Sequence, residues 1–438
     1  MADHARSDDQ AVQAQLDRFA QLSPGRDILG LERITVLLDR LGNPHRALPP
    51  VFHVAGTNGK GSTCAFLRAA LETAGLTVHV YTSPHLVRFN ERIRVAGKLI
   101  EDSALAPLLA EVLDRSEDIG PSFFEATTAA AFLAFARTPA DAAIIEVGLG
   151  GRLDATNIIA APAVCGIAQL GVDHQAFLGD DAITIAGEKA GIAKAAVPLV
   201  TMAYPDGESA RIAEIASSVG AILIPKGKEW DAVVYQNQLH YRCGDDKIDT
   251  PLPRLPGPHQ AMNAALAIAM IRHQSTVVVP DAAIKAAIGW TNWPARLQLL
   301  TAGPLRDILP ETAQVIVDGC HNPAAAKVVA PHFEDGGPLL IICGILANKD
   351  MDGILGPFAT SIASLHPVPV PGHDHHAPAE VCEWAAERNI LVKAACDVET
   401  ALSNIALQTK NDASPTILIM GSLYLAGEVL RLNDQIPD

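Results

Sequence analysis

VFHVAGTNGKGSTCAFLRAALETAG, residues 51–75, decides how the chain is to be read. VFHVAG (51–56) is an apolar run of strand type, and STCAFLRAALETAG (62–75) reads as a helix closed by a C-terminal glycine. Between them lie Gly56, Thr57, Asn58, Gly59, Lys60, Gly61 and Ser62. A phosphate-binding loop is built as GxxxxGK[ST] between a strand and a helix. Gly59-Lys60 and the strand–turn–helix context fit. Val54, however, stands where that pattern has its first glycine, and Gly61 follows Lys60, with the hydroxyls delayed to Ser62 and Thr63. The physics survives the deviation. Three glycines let backbone amides approach phosphate oxygens, the helix N-terminus adds about half a positive charge, and Lys60 adds a full one. The alternative is a glycine-rich turn that merely joins strand to helix, and a lysine between glycines suits it poorly.

Outward from this loop, LTVHVYTSP (76–84), AAIIEVG (142–148), AVCGIAQLG (163–171) and VPLVTMA (197–203) are further apolar runs separated by helical stretches. Such alternation implies right-handed βαβ units and a parallel sheet. DTPLPRLPGPHQ (249–260) breaks the rhythm and a helix follows from Gln260 to His273; AQVIVDGC (313–320), PLLIICG (338–344) and PTILIMG (415–421) then resume it. The fold class expected is α/β: a P-loop-type, mostly parallel sheet domain over 1–295, followed by a smaller Rossmann-like α/β domain over 296–438. Residues 1–24 read as frayed chain or a short surface helix. There is no repeat of solenoid length and no low-complexity tract.

The 438 residues carry 33 Lys and Arg against 49 Asp and Glu, a net charge of −16. So acidic a chain is a poor partner for nucleic acid or an anionic membrane. Its seven cysteines form no CxxC pair, which supports neither a disulfide framework nor a thiolate zinc site. The N-terminal MADHARSDDQAVQAQ has no basic segment followed by an apolar one, and no apolar run reaches the roughly 18 residues of a membrane span. A cytoplasmic protein with reduced thiols is expected.

In ordinary phosphate loops the hydroxyl beside the lysine holds Mg²⁺, so other donors are needed here. Ser83, in TSPHL after the second strand, is one candidate, although Ser-Pro is also a turn signal. Glu146 ends a buried strand, where a carboxylate is costly unless it is paired in a salt bridge or bound to metal. Asp173 and His174, in VDHQ, follow another strand end. Strand ends of this kind are where open α/β sheets bind ligands. Hard cations prefer oxygen, so a plain loop histidine remains an equal reading of His174. GHDHHAP (372–378) gathers His373, His375 and His376 in a Pro/Gly-flanked turn of unconstrained geometry, readable as a polar loop or as an adventitious nickel or zinc binder.

Eight motifs occur in order: GTNGKGS (56–62), TSPHL (82–86), FNERI (89–93), EVGLGGRLDATN (146–157), GEKAGIAK (187–194), PARLQ (294–298), DGCHNP (318–323) and GSLYLAGEV (421–429). Over residues 25 to 430 the chain thereby resembles folylpolyglutamate synthases and dihydrofolate synthases, relatives of the Mur cell-wall ligases. The resemblance implies an ATP-dependent amide ligase. ATP phosphorylates a carboxylate of dihydropteroate or a reduced folate, and the amino group of L-glutamate displaces phosphate from the acyl phosphate. It further implies Mg²⁺ at two sites, with Ser83, Glu146 and His174 as ligands. Lys189, otherwise a plain helix lysine, matches one that is N-carboxylated in the family and helps hold the second ion. Lys60, Lys189 and His321 would serve catalysis. Asn263, Arg296 and Asp318 would join the loop in binding ATP, since Arg suits phosphate and Asp a ribose hydroxyl.

On the acceptor side, Leu31, Phe124 and Asp154 match a pterin pocket, with Phe124 stacking or simply core, and Ser422 matches a glutamate-carboxylate contact. SFFEATT (122–128) and RLDATN (152–157) look like the bifunctional type, which adds the first glutamate and extends the chain. Ala295 and Cys320 stand where the family often has Gly and Ala. A monomer is expected. A Mur-type ligase would need an extra N-terminal domain, for which fewer than 60 residues before the loop leave no room. A simple nucleotide hydrolase or switch, the other alternative, gives the motifs beyond 295 no purpose.

Overall fold

The run that opens the glycine-rich loop is a strand, β1 (Val51–Ala55), buried along its whole length. It belongs to a computed structural model that describes residues 5–22, 29–408 and 414–438. The chain divides into two units, Met1–Arg254 with Pro258–Asn292, and Leu255–Gly257 with Trp293–Asp438. The division thus falls after Asn292 rather than after 295, and part of the Pro-rich stretch belongs to the second unit.

In the first unit β1 is joined by β2 (Val78–Tyr81), β3 (Ile93–Val95), β4 (Lys98–Leu99), β5 (Ala142–Glu146), β6 (Val164–Ile167), β7 (Pro198–Thr201) and β8 (Ile222–Pro225). Their order in the sheet is β4-β3-β2-β5-β1-β6-β7-β8. The pairings from β2 to β8 are parallel, and β3 and β4 add an antiparallel edge. Parallel strands covered on both faces read as unbroken apolar runs, which is why β1 and β5 stood out. From β1 the chain passes over the place of β5 to form β2, and later crosses to β6 on the far side of β1. The carboxyl end of β1 is therefore a topological switch point, where such sheets bind ligands.

One face carries the helices Gln10–Ala20, Glu32–Arg40, Asp102–Asp114 and Phe123–Arg137, whose apolar side chains form one cluster. The first of these settles the two readings of the N-terminal stretch in favour of a short helix, with one apolar stripe facing the core. Asp9 caps it, and Val12, Leu16 and Phe19 are buried at the i, i+4, i+7 spacing of a packed helix. Phe19 meets Phe123 edge-on at 6.0 Å. Phe123–Arg137 is apolar nearly all round and is buried accordingly. Its start is set by a reciprocal cap: Ser122 Oγ accepts from Glu125 N at 3.1 Å, and Glu125 Oε2 accepts from Ser122 N at 2.6 Å. Toward β6 the same face holds Cys165 and Ile167 against Ile192 and Leu199. Gly166, between them, points the other way and packs on Met270 of the helix Pro258–Arg272, which lies beside the helix Lys60–Thr73. Residues 231–251, for which the sequence suggested no element, form an antiparallel sheet of β9 (Asp231–Tyr235), β10 (Gln238–Cys243) and β11 (Asp246–Pro251).

The second unit contains β12 (Gln298–Leu300), β13 (Gln314–Val317), β14 (Leu339–Cys343), β15 (Ile362–Pro367), β16 (Leu391–Val392) and β17 (Thr416–Met420), in the order β12-β13-β17-β14-β15-β16. All pairings but β12–β13 are parallel. The exits of β13, β17 and β14 are stitched together: Gly421 N donates to Cys320 O at 2.9 Å and Gly344 N to Met420 O at 3.1 Å. Among the described residues no helix is long and apolar enough to cross a membrane.

Ala295 and Leu297 both hold left-handed backbone, at φ 55° and 45°, which costs an L-residue about 1–2 kcal/mol. Replacing Ala295 by Gly should therefore raise stability by about 0.5–1 kcal/mol once the greater chain entropy of glycine is subtracted. Phe132→Ala should lower it by about 3–5 kcal/mol, because the ring is fully buried. Urea unfolding of the two variants beside the parent protein measures both.

Candidate active site

The loop after β1 is shaped by what it touches. Gly56 has φ 150°, and a Cβ there would lie 2.9 Å from the Ala168 Cβ. Gly59, at φ 81°, ends the loop in left-handed backbone, and a side chain there would strike Asn263. The amides of Thr57 and Asn58 both donate to Gln169 O, at 2.8 and 3.1 Å. Thr57 Oγ1 donates to Gly171 O at 2.8 Å and accepts from Gly171 N at 3.1 Å. These groups hold the loop in shape. The first-turn amides of Lys60, Gly61 and Ser62 open the helix Lys60–Thr73, where a helix has no carbonyl of its own to offer them. Lys60 Nζ folds back to 3.3 Å from Thr57 O.

Acidic groups stand on the neighbouring strand ends. Glu146, the last residue of β5, is 4% exposed and its Oε2 accepts from Ser83 N at 3.3 Å, so the sequence-predicted Ser83 and Glu146 do meet. Asp173 is buried beyond β6, and its Oδ1 accepts from His174 N at 2.7 Å. His174 itself is exposed and holds left-handed backbone at φ 54°, the kind of local strain that collects at functional sites. Lys189 ends the helix Ala182–Ala190 and is 4% exposed, with Nζ donating to Gly56 O at 3.0 Å. Burial and the charge of Lys60 push its ammonium down to about 7, against the pull of Asp173 and Asp154. Two packing devices fix this lysine. A Cβ on Gly151 would meet Glu188 O at 2.7 Å and Lys189 O at 2.9 Å, and Asn157 Nδ2 donates to both Arg152 O and Gly191 O at 3.0 Å.

The oxygen donors fit a hard divalent cation. Glu146 supplies a nearly buried carboxylate beside Ser83, and Mg²⁺ is ordinarily held by one or two carboxylates, waters and substrate phosphates. Among the described residues no three His, Cys, Asp or Glu side chains converge as a ready cage. The tempting histidine loop is wired into the second unit instead. His373 stacks on Tyr424 at 3.8 Å, His375 Nδ1 donates to His373 O and His376 Nε2 donates to Lys349 O.

Two predicted contact residues also cap turns of their own. Asp154, read as a pterin contact, is 3% exposed, and its carboxylate accepts from Leu149 N at 2.8 Å, Thr156 N at 2.9 Å and Thr156 Oγ1 at 2.5 Å. It shapes its own loop. Ser422, read as a glutamate contact, is 1% exposed and its Oγ caps the helix Leu423–Leu432 by accepting from Tyr424 N at 3.1 Å.

Phe124 is half-buried with its ring over Gly148 and 6.0 Å from that of Tyr81. Leu31 is partly buried against the helical core. Asn263 stands under Gly59 and donates to Gln260 Oε1 at 3.0 Å. In the second unit Asp318 Oδ2 accepts from Leu297 N at 2.8 Å, bracing the turn that presents Arg296. His321 Nδ1 lies 2.7 Å from Gly319 O; a carbonyl only accepts, so this nitrogen carries the proton. Sequence reasoning assigned no role to Asp173, although VDHQ exposed it, and missed Gln169, whose part is played by a backbone carbonyl that no side-chain pattern signals.

Comparison with known proteins agrees. A family model described as "Dihydrofolate synthetase, C-terminal domain" matches residues 302–432. The dihydrofolate synthase/folylpolyglutamate synthase of Escherichia coli is 34% identical over 410 residues, 93% of this chain and 92% of that protein. The folylpolyglutamate synthase of Lacticaseibacillus casei is 32% identical, over 91% of this chain and 92% of its own length. Among solved structures, E. coli FolC in complex with DHPP and ADP superposes with a TM-score of 0.85 at 33% identity, covering 97% of this chain and 99% of that one. A bifunctional folylpolyglutamate synthase/dihydrofolate synthase with Mn, AMPPNP and L-glutamate bound gives 0.83 at 31% identity over 97% and 99%. With its sheet order, its deviant phosphate loop and these likenesses over nearly the whole length, the chain belongs to the dihydrofolate synthase/folylpolyglutamate synthase family.

Proposed function

We propose that the protein joins L-glutamate to dihydropteroate and to reduced folates at the expense of ATP, as a cytoplasmic monomer. The observation that carries this reading is the convergence at the carboxyl ends of adjacent central strands. A buried lysine amine rests on the Gly56 carbonyl beneath a helix N-terminus that carries Lys60, with Glu146 and Ser83 paired on the neighbouring strand ends. Only a ligand with several negative charges and a cation of its own satisfies such a mixture. The acceptor carboxylate attacks the terminal phosphorus and ADP departs with the bond pair. The glutamate amine then attacks the acyl carbon, sheds a proton, and phosphate leaves.

Lys60 and the amides of Lys60 to Ser62 hold the transferring phosphoryl group, whose charge is spread over its oxygens. Glu146, Ser83 and His174 would hold a magnesium ion, which would supply charge neutralisation. Lys189, carboxylated on Nζ by CO₂ with loss of a proton, would be an acidic ligand for a second ion. Phe124 and Leu31 offer the pterin an apolar wall. In the second unit, Arg296, Asp318 and His321 keep the parts their motifs imply.

The test is ADP release. It should require glutamate together with dihydropteroate or tetrahydrofolate; release that ignores glutamate would make the protein a hydrolase instead. Lys60→Ala should slow turnover about a hundredfold or more, as expected for removal of a charge-stabilising donor, while leaving urea unfolding unchanged. Gly151→Ala should push the Lys189 turn aside and cost at least tenfold in turnover, at a stability loss of about 1–3 kcal/mol, the range for overpacking. Intact-mass measurement under bicarbonate should show one added CO₂ on the parent protein and none on Lys189→Arg.

A further inference from the structure

We infer that Thr57 is a positioning residue: with residues 169–171 it forms a latch that ties the phosphate loop to the segment carrying Asp173 and His174. This deepens the proposed nucleotide reading and rests on it. The loop residue that a motif reader would give to the nucleotide has its hydroxyl engaged elsewhere. Thr57 Oγ1 gives its one proton to Gly171 O at 2.8 Å and takes the proton of Gly171 N at 3.1 Å. A hydroxyl has a single donor and two acceptor positions, so no proton is left for a phosphate.

The backbone repeats the pattern. Thr57 N and Asn58 N converge on the single carbonyl of Gln169, at 2.8 and 3.1 Å. The strap they grip is itself anchored. Ala168 N donates to Ala55 O at 2.8 Å, Gly56 packs on Ala168, and Tyr204 Oη reaches Ile167 O at 2.6 Å and Ala168 O at 2.8 Å. Only Val172 separates the latched Gly171 from Asp173. A shift of the loop is therefore a shift of the Asp173–His174 segment, and the place of the phosphates and the place of the cation are set by one piece of backbone.

A latch and a ligand contact differ in what they change. If Thr57 touched phosphate, its loss would weaken nucleotide with or without metal. If it only aligns the His174 segment, metal-free nucleotide is held as before and the gain from Mg²⁺ shrinks. Calorimetric binding of ADP, with and without Mg²⁺, should be compared for the parent protein, Thr57→Val, Thr57→Ser and Tyr204→Phe. For Thr57→Val we expect metal-free affinity within about twofold of the parent and an Mg²⁺ requirement raised about five- to tenfold, the scale of one lost hydrogen-bonded pair. Thr57→Ser, which keeps the hydroxyl, should restore the parent values. Tyr204→Phe, which loosens the strap from behind without touching the loop, should shift the Mg²⁺ requirement in the same direction by a smaller factor.

An equal loss of affinity with and without metal would overturn the latch in favour of direct contact, and an unchanged Mg²⁺ requirement would overturn it outright. Because the readout is binding, these outcomes are separate from failure of the ligase reading, which would appear as glutamate-independent ADP release by the parent protein.

Discussion

Opposite charges share the buried carboxyl end of one sheet, and neither sign is stable there without the other. Removing an ammonium or a carboxylate from water is expensive unless a partner or a hydrogen bond compensates. Lys189 is 4% exposed and leans on a single backbone carbonyl; Glu146 is equally buried beside the Ser83 amide. Lys60 repels Lys189, while Asp173 and Asp154 attract it. The arrangement leaves an amine poised near neutrality among nearly buried acids. Much of the surrounding packing serves to hold those groups at fixed separation: Gly151 lets two helix-end carbonyls approach, and Asn157 ties the RLDATN loop to the turn after Lys189. The motifs EVGLGGRLDATN and GEKAGIAK occur together because one is the mould for the other.

The second constraint is the shape of the glycine-rich loop, and it answers why the motif departs from the ordinary pattern. Its first two amides are bound to Gln169 O, so anion binding falls to the helix end, where Gly61 keeps the backbone bare beside Lys60. Ser62 and Thr63 are 2% and 0% exposed, and Thr63 Oγ1 donates back to Gly59 O at 2.9 Å. Both hydroxyl residues are thus packed into the first turn, while the acidic residues stand elsewhere, Glu146 at the end of β5 and Asp173 beyond β6.

Legibility followed range of interaction. The parallel strands were readable because burial on both faces leaves continuous apolar runs, and the loop was readable because its glycines and lysine are adjacent in sequence. The sheet of β9 to β11 was not: in DAVVYQNQLHYRC only alternate positions are covered, and Ala232, Leu239 and Tyr241 are the buried ones. Of the two readings of the N-terminal stretch, the short helix holds, and its polar majority hides three apolar residues at packing intervals. Among site residues, Ser83 and Glu146 meet at adjoining strand ends. Asp154 and Ser422 carry capping bonds that the motifs did not signal. A short oxygen-bearing side chain just ahead of a helical turn suits a ligand or an N-cap equally well in sequence, and the hydrogen bonds to Thr156 and Tyr424 show the capping part.

Backbone conformation adds what composition cannot show. Ala295 and Leu297 bracket Arg296, and both hold left-handed φ, a conformation that for a branched residue persists only where its surroundings enforce it. The enforcement is visible: Leu297 N is held by Asp318 Oδ2 and Gly319 N by Ala295 O, so PARLQ and DGCHNP brace each other across adjacent strands. A carboxylate that grips the backbone of the arginine's own turn, and whose charge also attracts the guanidinium, fixes that turn at both its backbone and its side chain.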